Sequence, residues 1–278
     1  MDRTSCTNAI SRYAGQAAML AACLTLVANR SAAQAETARS STAIDTGAVN
    51  ALRRMGAYLR SLQRFGVTGT TVRDAVLSDG QTVEMEGTLR YLVRTPDRFR
   101  GDINTDRKQR QIIYDGKTLT VYAPRMHYYA TVPAPATIRE TLDSASKRLG
   151  IEFPLVDLFL WGTANDGVKD LQSARYIGPA YIDGIETDQY AYREQGADWQ
   201  LWIQRGSTPV PKRIVITTTS NSALPQYAAT LKWTLTSKFN DTEFAFVPPK
   251  GTERITFTSD YGRTEAPSSP AGRSRGEP

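Results

Sequence analysis

The chain has 278 residues, 40% hydrophobic and 22% charged, with a formal net charge of +6; this is enough for one domain with a sizeable core, and too apolar for a disordered chain. Two cysteines, Cys6 and Cys23, and a single histidine, His127, exclude a disulfide framework in the body of the chain and an all-histidine metal site. The basic excess is mild and reads as solubility or attraction to an anionic membrane surface, with no nucleic-acid partner.

Residues 1–35 read as a secretory signal: Arg3 and Arg12 precede the apolar run 17–28, and Ala33-Gln34-Ala35 has the small-x-small form of a cleavage site. That run is too short to anchor permanently in a bilayer, so the expected location is the periplasm. Cleavage after Ala35 removes both cysteines. It also removes three arginines (Arg3, Arg12, Arg30) and one aspartate (Asp2), lowering the net charge from +6 by two. Leu20-Ala21-Ala22-Cys23 has the form of a lipobox and is the alternative, a lipid anchor on Cys23, although Leu24 to Val27 keep the run apolar where a lipoprotein turns polar.

Residues 36–44 are a small-residue linker, and Asp45 is suited to cap a helix running to about Arg64. Val49, Leu52, Met55, Tyr58, Leu59 and Leu62 recur at three or four, opposite Arg53, Arg54, Arg60 and Arg64. A strand is expected over about 67–77, turned by Asp79-Gly80 into a second in which Val83, Met85, Gly87, Leu89, Tyr91 and Val93 alternate with polar residues. Thr95-Pro96-Asp97 turns the chain again, and Asp115-Gly116 forms a tight hairpin, giving about six strands up to Val132. Pro133 and Pro135 stop the sheet. Thr137-Ile138-Arg139-Glu140 has the form of a capping box for a helix carrying Ile138, Leu142, Ala145 and Leu149, ended by Gly150. Residues 153–161 (FPLVDLFLW) are apolar at all but Asp157, and Pro154 suits a helix's first turn. About six further strands follow, with a hairpin at Asp183-Gly184 and the last two over 244–247 and 255–258. The tail, 261–278, is rich in Ser, Pro, Gly and Arg and is expected to be disordered.

This order, with no βαβ alternation, predicts a mainly β (α+β) domain over 45–260: a curved antiparallel sheet whose helices cover one face. Catalytic signatures of the nucleophile-elbow, P-loop and zinc-protease kinds are absent from the sequence. His127 reads as a structural or surface residue in the last strand of the first half, Glu84 and Glu86 as a solvated strand exterior, and Asp157 as a helix-capping or hydrogen-bonded aspartate. Between residues 90 and 110 seven basic residues stand against three acidic ones; their alternation puts most of them on the outer face, either simply solvated or facing an acidic partner. The segment 153–161 is either a plug of core or a lid that moves aside for an apolar guest.

Gly87-Thr88-Leu89 with residues 93–99, Tyr114-Asp115-Gly116-Lys117-Thr118-Leu119 and Val121-Tyr122-Ala123-Pro124 resemble the outer-membrane lipoprotein carrier family (LolA/LolB-like). Phe153-Pro154-Leu155 with Asp157-Leu158, residues 198–203 (DWQLWI) and Pro248-Pro249-Lys250-Gly251 resemble, more closely, a family of predicted periplasmic proteins of unknown function. The resemblance covers about 45–257. It implies a half-open antiparallel β-barrel of about 11–12 strands with a helical lid on its concave face, over a hydrophobic cavity that in the carriers accepts acyl chains. The carriers' lid-latching arginine before the proline is replaced by Thr95, with Arg94 one position earlier on the other face.

The reading is therefore an exported, monomeric, cofactor-free binding protein, not an enzyme, that encloses an acyl chain or other apolar ligand. Leu142, Phe153, Leu155, Leu158, Phe159 and Trp161 are expected to supply the lid. Met85, Leu89, Tyr91, Phe99, Ile103, Leu119 and Val121 are expected to line the cavity. The alternative is an envelope sensor or adaptor that offers the same scaffold to a membrane-associated protein.

Overall fold

The computed structural model describes residues 44–257, apart from 152 and 237. The expected signal, both cysteines, the tail 261–278 and all but the last residue of the linker lie outside the described residues. Helix α1 (Thr46–Ser61) is capped by Asp45, whose Oδ1 accepts a 2.7 Å hydrogen bond from the Gly47 amide. Its buried stripe is Ala48, Val49, Ala51, Leu52, Met55, Gly56 and Leu59. The helix stops three residues short of Arg64, because Leu62 takes an extended conformation and Arg64 already opens a strand.

Two antiparallel meanders then build one sheet. The first is β1 (Arg64–Val76), β2 (Thr82–Arg94), β3 (Arg98–Thr105), β4 (Gln109–Tyr114), β5 (Thr118–Ala123) and β6 (Tyr128–Pro133). After helices α2 (Ile138–Leu149) and α3 (Asp157–Leu160) comes the second: β7 (Ser173–Ile182), β8 (Ile185–Glu194), β9 (Ala197–Gln204), β10 (Pro211–Thr218) and β11 (Gln226–Thr234). β1 pairs with both β2 and β11, which fuses the meanders, together with the short strand β12 (Glu253–Arg254), into a 12-stranded sheet ordered β12-β6-β5-β4-β3-β2-β1-β11-β10-β9-β8-β7. β7 and β12 are not neighbours, so the barrel stays half open.

Register decides what each face carries. Val67 stands opposite Tyr91 and Trp233, Leu89 opposite Gly69 and Ile103, and Phe99 opposite Tyr114. Directly opposed residues share a face. These form the inner face, which is packed in one cluster with α1, α2 and the segment around α3. Gly69 is required there: a Cβ would stand 2.9 Å from Leu231 and 3.4 Å from Leu89.

The last stretch departs from expectation. Residues 244–247 do not form a strand: Asp241–Phe244 is a 3-10 turn with an Asn240–Glu243 capping box, and only Glu253–Arg254 pairs, in parallel, with β6. To get from β11 to β6 the chain crosses the outer face, where Phe244 is 1% exposed, Phe239 meets it edge-on, and Phe246 lies tilted against Tyr122 and Tyr129. Leu92, Ile113 and Tyr122 are buried on that side. Arg94 closes this strap, 2.6 Å from Asp241 and over the Phe244 ring. Three further outer-face arginines are paired: Arg90 and Arg100 with Asp102, and Arg98 with Asp97. His127 is not in a strand; it is exposed at φ 56° as the C-cap of the Pro124–Met126 turn.

Candidate functional site

The segment expected to act as a lid lies on the inner face. α2 begins as its sequence dictates, with Thr137 Oγ1 accepting from the Glu140 amide and donating to the Glu140 carboxylate at 2.8 Å. It ends at Gly150, in the left-handed conformation. Beyond Gly150 the lid is mostly irregular: Leu155 takes a φ of 56°, and only Asp157–Leu160 is helical.

Among the described residues, its hydrogen bonds to α1 and the sheet are few and specific. The Tyr91 hydroxyl donates to the Pro154 carbonyl at 2.6 Å. The Arg60 guanidinium, from α1, donates to the carbonyls of Phe159, at 3.0 Å, and Leu158. Burial, with the Arg139 charge adding, lowers the Arg60 pKa. Gly162, at φ 76°, lies against Gly56 so closely that a Cβ on it would fall 2.5 Å from the Gly56 carbonyl carbon and oxygen. The sequence had left this chain without a lid latch at Thr95. There, Thr95 only donates back to the carbonyls of Leu62 and Gln63, and Arg94 faces outward; Arg60 is the arginine that reaches the lid.

The sequence-selected residues mostly converge. Leu142, Phe153, Leu155, Leu158, Phe159 and Trp161 are buried in one cluster with Leu89, Tyr91, Phe99 and Leu119. Phe159 sits edge-on to Phe99 with centroids 5.6 Å apart, and 6.3 Å from Tyr91. Ile103 and Val121 are half-buried against the cluster, while Met85 is half-buried and outside it. The segment's own side chains occupy the space over the wall. Sequence reading missed that the second meander supplies as much wall as the first, through Tyr190, Tyr192, Trp199, Leu201, Ile203, Ile214 and Leu231; the strand alternation held that signal. Tyr192 ties the wall to α1, donating to the Ala48 carbonyl at 3.0 Å. The Tyr227 hydroxyl is buried with no partner, and burial raises its pKa.

Two hollows lie in the sheet's surfaces, and only the second borders the site. One, about 730 Å³, lies on the polar outer face among Thr68, Thr70, Thr88, Arg90, Asp102 and Lys232. The other, about 120 Å³, lies at the lid's edge between α3 and the end of β8, and Asp157, Trp161, Glu194 and Trp199 line it. Asp157 does not cap α3: Val156 holds that position, and no side chain caps the helix. Burial raises the Asp157 pKa. Burial raises that of Glu194 too, with the charges of Asp157 and Asp170 adding to it.

Several solved structures are similar to this chain in fold. An uncharacterized conserved protein from Thermus thermophilus is 14% identical with a TM-score of 0.43, over 76% of this chain and 99% of that one. Lipoprotein LppX from Mycobacterium tuberculosis is 10% identical with a TM-score of 0.36, over 70% and 100%. A LolA superfamily protein from Nitrosomonas europaea is 14% identical with a TM-score of 0.31, over 72% and 97%. No curated protein matches. The family model described as "Predicted periplasmic protein (DUF2092)" matches residues 48–258, and the chain belongs to that family of periplasmic proteins.

Proposed function

We propose that the protein binds an apolar ligand, an acyl chain in the first instance, between the inner face of the half-barrel and a lid of residues 151–162 that swings away to admit it. The observation that carries this reading is how the lid is held. A greasy segment with a four-residue helix is flanked by Gly150 and Gly162, both at positive φ, and is tied down by hydrogen bonds from Arg60 and Tyr91 to its carbonyls. The exposed Arg60 side chain could bond equally well to water once the segment leaves, so that part of the release costs little polar energy.

Magnitudes support an exchange. Five large lid side chains, Phe153, Leu155, Leu158, Phe159 and Trp161, are buried; at about 1.5–3 kcal/mol each their burial is worth about 8–15 kcal/mol as an upper figure. An acyl chain of about fifteen methylenes, at about 0.8 kcal/mol each, gains about 12 kcal/mol. The lid and the ligand are therefore near-equal competitors for the same wall. No cofactor and no catalytic step enters this reading.

Native mass spectrometry of gently purified protein, with titration by a fluorescent fatty acid, tests it. Co-purifying lipid and saturable binding are expected. Lipid-free protein that binds no fatty acid would overturn the reading. One observation favours a second reading, an envelope adaptor: the β7–β8 hairpin at the sheet edge exposes Tyr176, Ile177, Tyr181 (70%) and Ile185. A stoichiometric protein partner lost on Tyr181→Asp would select it.

A further inference from the structure

We infer that the recess between α3 and the end of β8 binds a small organic cation, specifically an alkylammonium group that carries its own methyls. This goes beyond the acyl-chain reading and does not depend on lid opening, because the recess is already present in the closed form.

Three observations converge there. First, the recess has a built aromatic wall. Trp161 from the lid and Trp199 from β9 stand nearly parallel with centroids 6.4 Å apart, and Tyr192 backs Trp199 at 4.1 Å, fixing its plane. Indole faces attract cations through the ring quadrupole, more strongly where water is excluded. Second, two carboxylates face the same space with no counter-charge. Asp157 projects from α3 and Glu194 from the end of β8, both into the recess that Gly167 also lines. Neither carboxylate has an ion pair among the described residues, the Asp157 carboxylate accepts only from its own backbone amide, and no lysine or arginine lines the recess. Asp166 also lines it, but its Oδ1 is engaged by the Val168 amide, and Asp170 adds a further negative charge toward Glu194. Buried carboxylates are ordinarily paired or neutralised. Third, the space is the right size, about 120 Å³, or about four waters at ~30 Å³ each.

The lining also selects the kind of cation. Among the described residues no group of acidic or histidine side chains is arranged to hold a metal ion, and a hard metal cation would need six or more oxygens. A primary ammonium could give two of its three donors to the carboxylates but would turn the third toward Leu160, Ile214, Ile216 and the indoles, which accept nothing. A quaternary, fully methylated ammonium has no donors to satisfy and presents apolar methyls to those walls. Because the cation favours the ionised carboxylates, binding releases protons, so affinity rises as pH is raised through their titration.

The experiment uses the whole mature chain and the methyl proton resonance of tetramethylammonium chloride. Saturable broadening with an upfield ring-current shift is expected, at least tenfold tighter at pH 8 than at pH 5, and absent for tert-butanol, the uncharged analogue. The Asp157→Asn/Glu194→Gln double variant is expected to weaken binding at least tenfold while its circular dichroism is unchanged. A free cation and a lipid headgroup share this chemistry. A short-chain phosphatidylcholine below its micelle concentration separates them: tighter binding than tetramethylammonium assigns the site to a headgroup, equal or weaker binding to a free cation. A non-saturable response matched by sodium chloride, or equal binding of tert-butanol, overturns the inference. So does undiminished binding by the folded double variant. If the double variant does not fold, the comparison with tert-butanol and the pH dependence decide.

Discussion

Replacing Arg60 with Met removes the guanidinium and keeps most of the aliphatic stem, so it isolates the two hydrogen bonds to the lid. Bonds from a charged donor are worth about 1.5–3 kcal/mol each when buried. The Arg60 side chain is largely exposed although its guanidinium is partly enclosed, so water recovers much of that energy and about 1–2 kcal/mol for the pair is the appropriate figure. This corresponds to a lid-open population raised about five- to thirtyfold. Native-state hydrogen exchange reads it directly. The amides of Leu158, Phe159, Trp161 and Thr163 donate to the carbonyls of Leu155, Val156, Asp157 and Leu160 within the lid, and they should exchange faster by that factor while the paired amides of β2 and β3 do not change. Fatty-acid affinity should rise with the open population. Unchanged lid exchange in Arg60→Met would refute the latch, and a uniform acceleration across the sheet would show that Arg60 serves global stability instead.

Three further outcomes follow from the packing and charge. Gly56→Ala ordinarily gains helix propensity, about 0.5–1 kcal/mol; here a Cβ would stand 2.5 Å from the Gly162 nitrogen, so urea denaturation should instead show a loss, and a gain would refute the α1–lid contact. Phe244→Ala, although outside the main core, should cost about 3–5 kcal/mol in the same assay, because the ring is 1% exposed beneath the outer strap. Asp157→Asn should raise the melting temperature at neutral pH. Its carboxyl and that of Glu194 titrate above their ordinary values in the folded protein, so the native state holds protons the unfolded chain has lost; stability falls as pH rises from the ordinary carboxylate range through the raised pKa values. The advantage of Asp157→Asn should therefore shrink on acidification, and a variant less stable than the parent at pH 7 would contradict this.

Much of the fold was legible locally. Asp79-Gly80, Asp115-Gly116 and Asp183-Gly184 each mark a hairpin because a positive φ is needed there, and the Thr137 capping box starts α2 where the sequence places it. Three features were not legible, each for a physical reason. Phe244 and Phe246 alternate as in a strand, but alternation is the same whether a segment joins a sheet or is laid across one. Asp157 has the residue type of a cap, but capping is a matter of position, and Val156 occupies it. Arg60 was counted on the polar side of α1, and nothing in its neighbours signals that it meets carbonyls 98 and 99 residues away.

The sequence by itself determined the two meanders, the helix before them, the helical break between them and the apolar residues that line one face, because period-2 alternation, turn residues and caps act over a few positions. Only the tertiary structure decided that β1 joins the meanders through β11, that the C-terminal segment straps the outer face, and that Arg60 and Gly56 receive the lid. Those outcomes depend on which distant surfaces meet, and a pairing energy between residues far apart in the chain leaves no periodic trace in either of them.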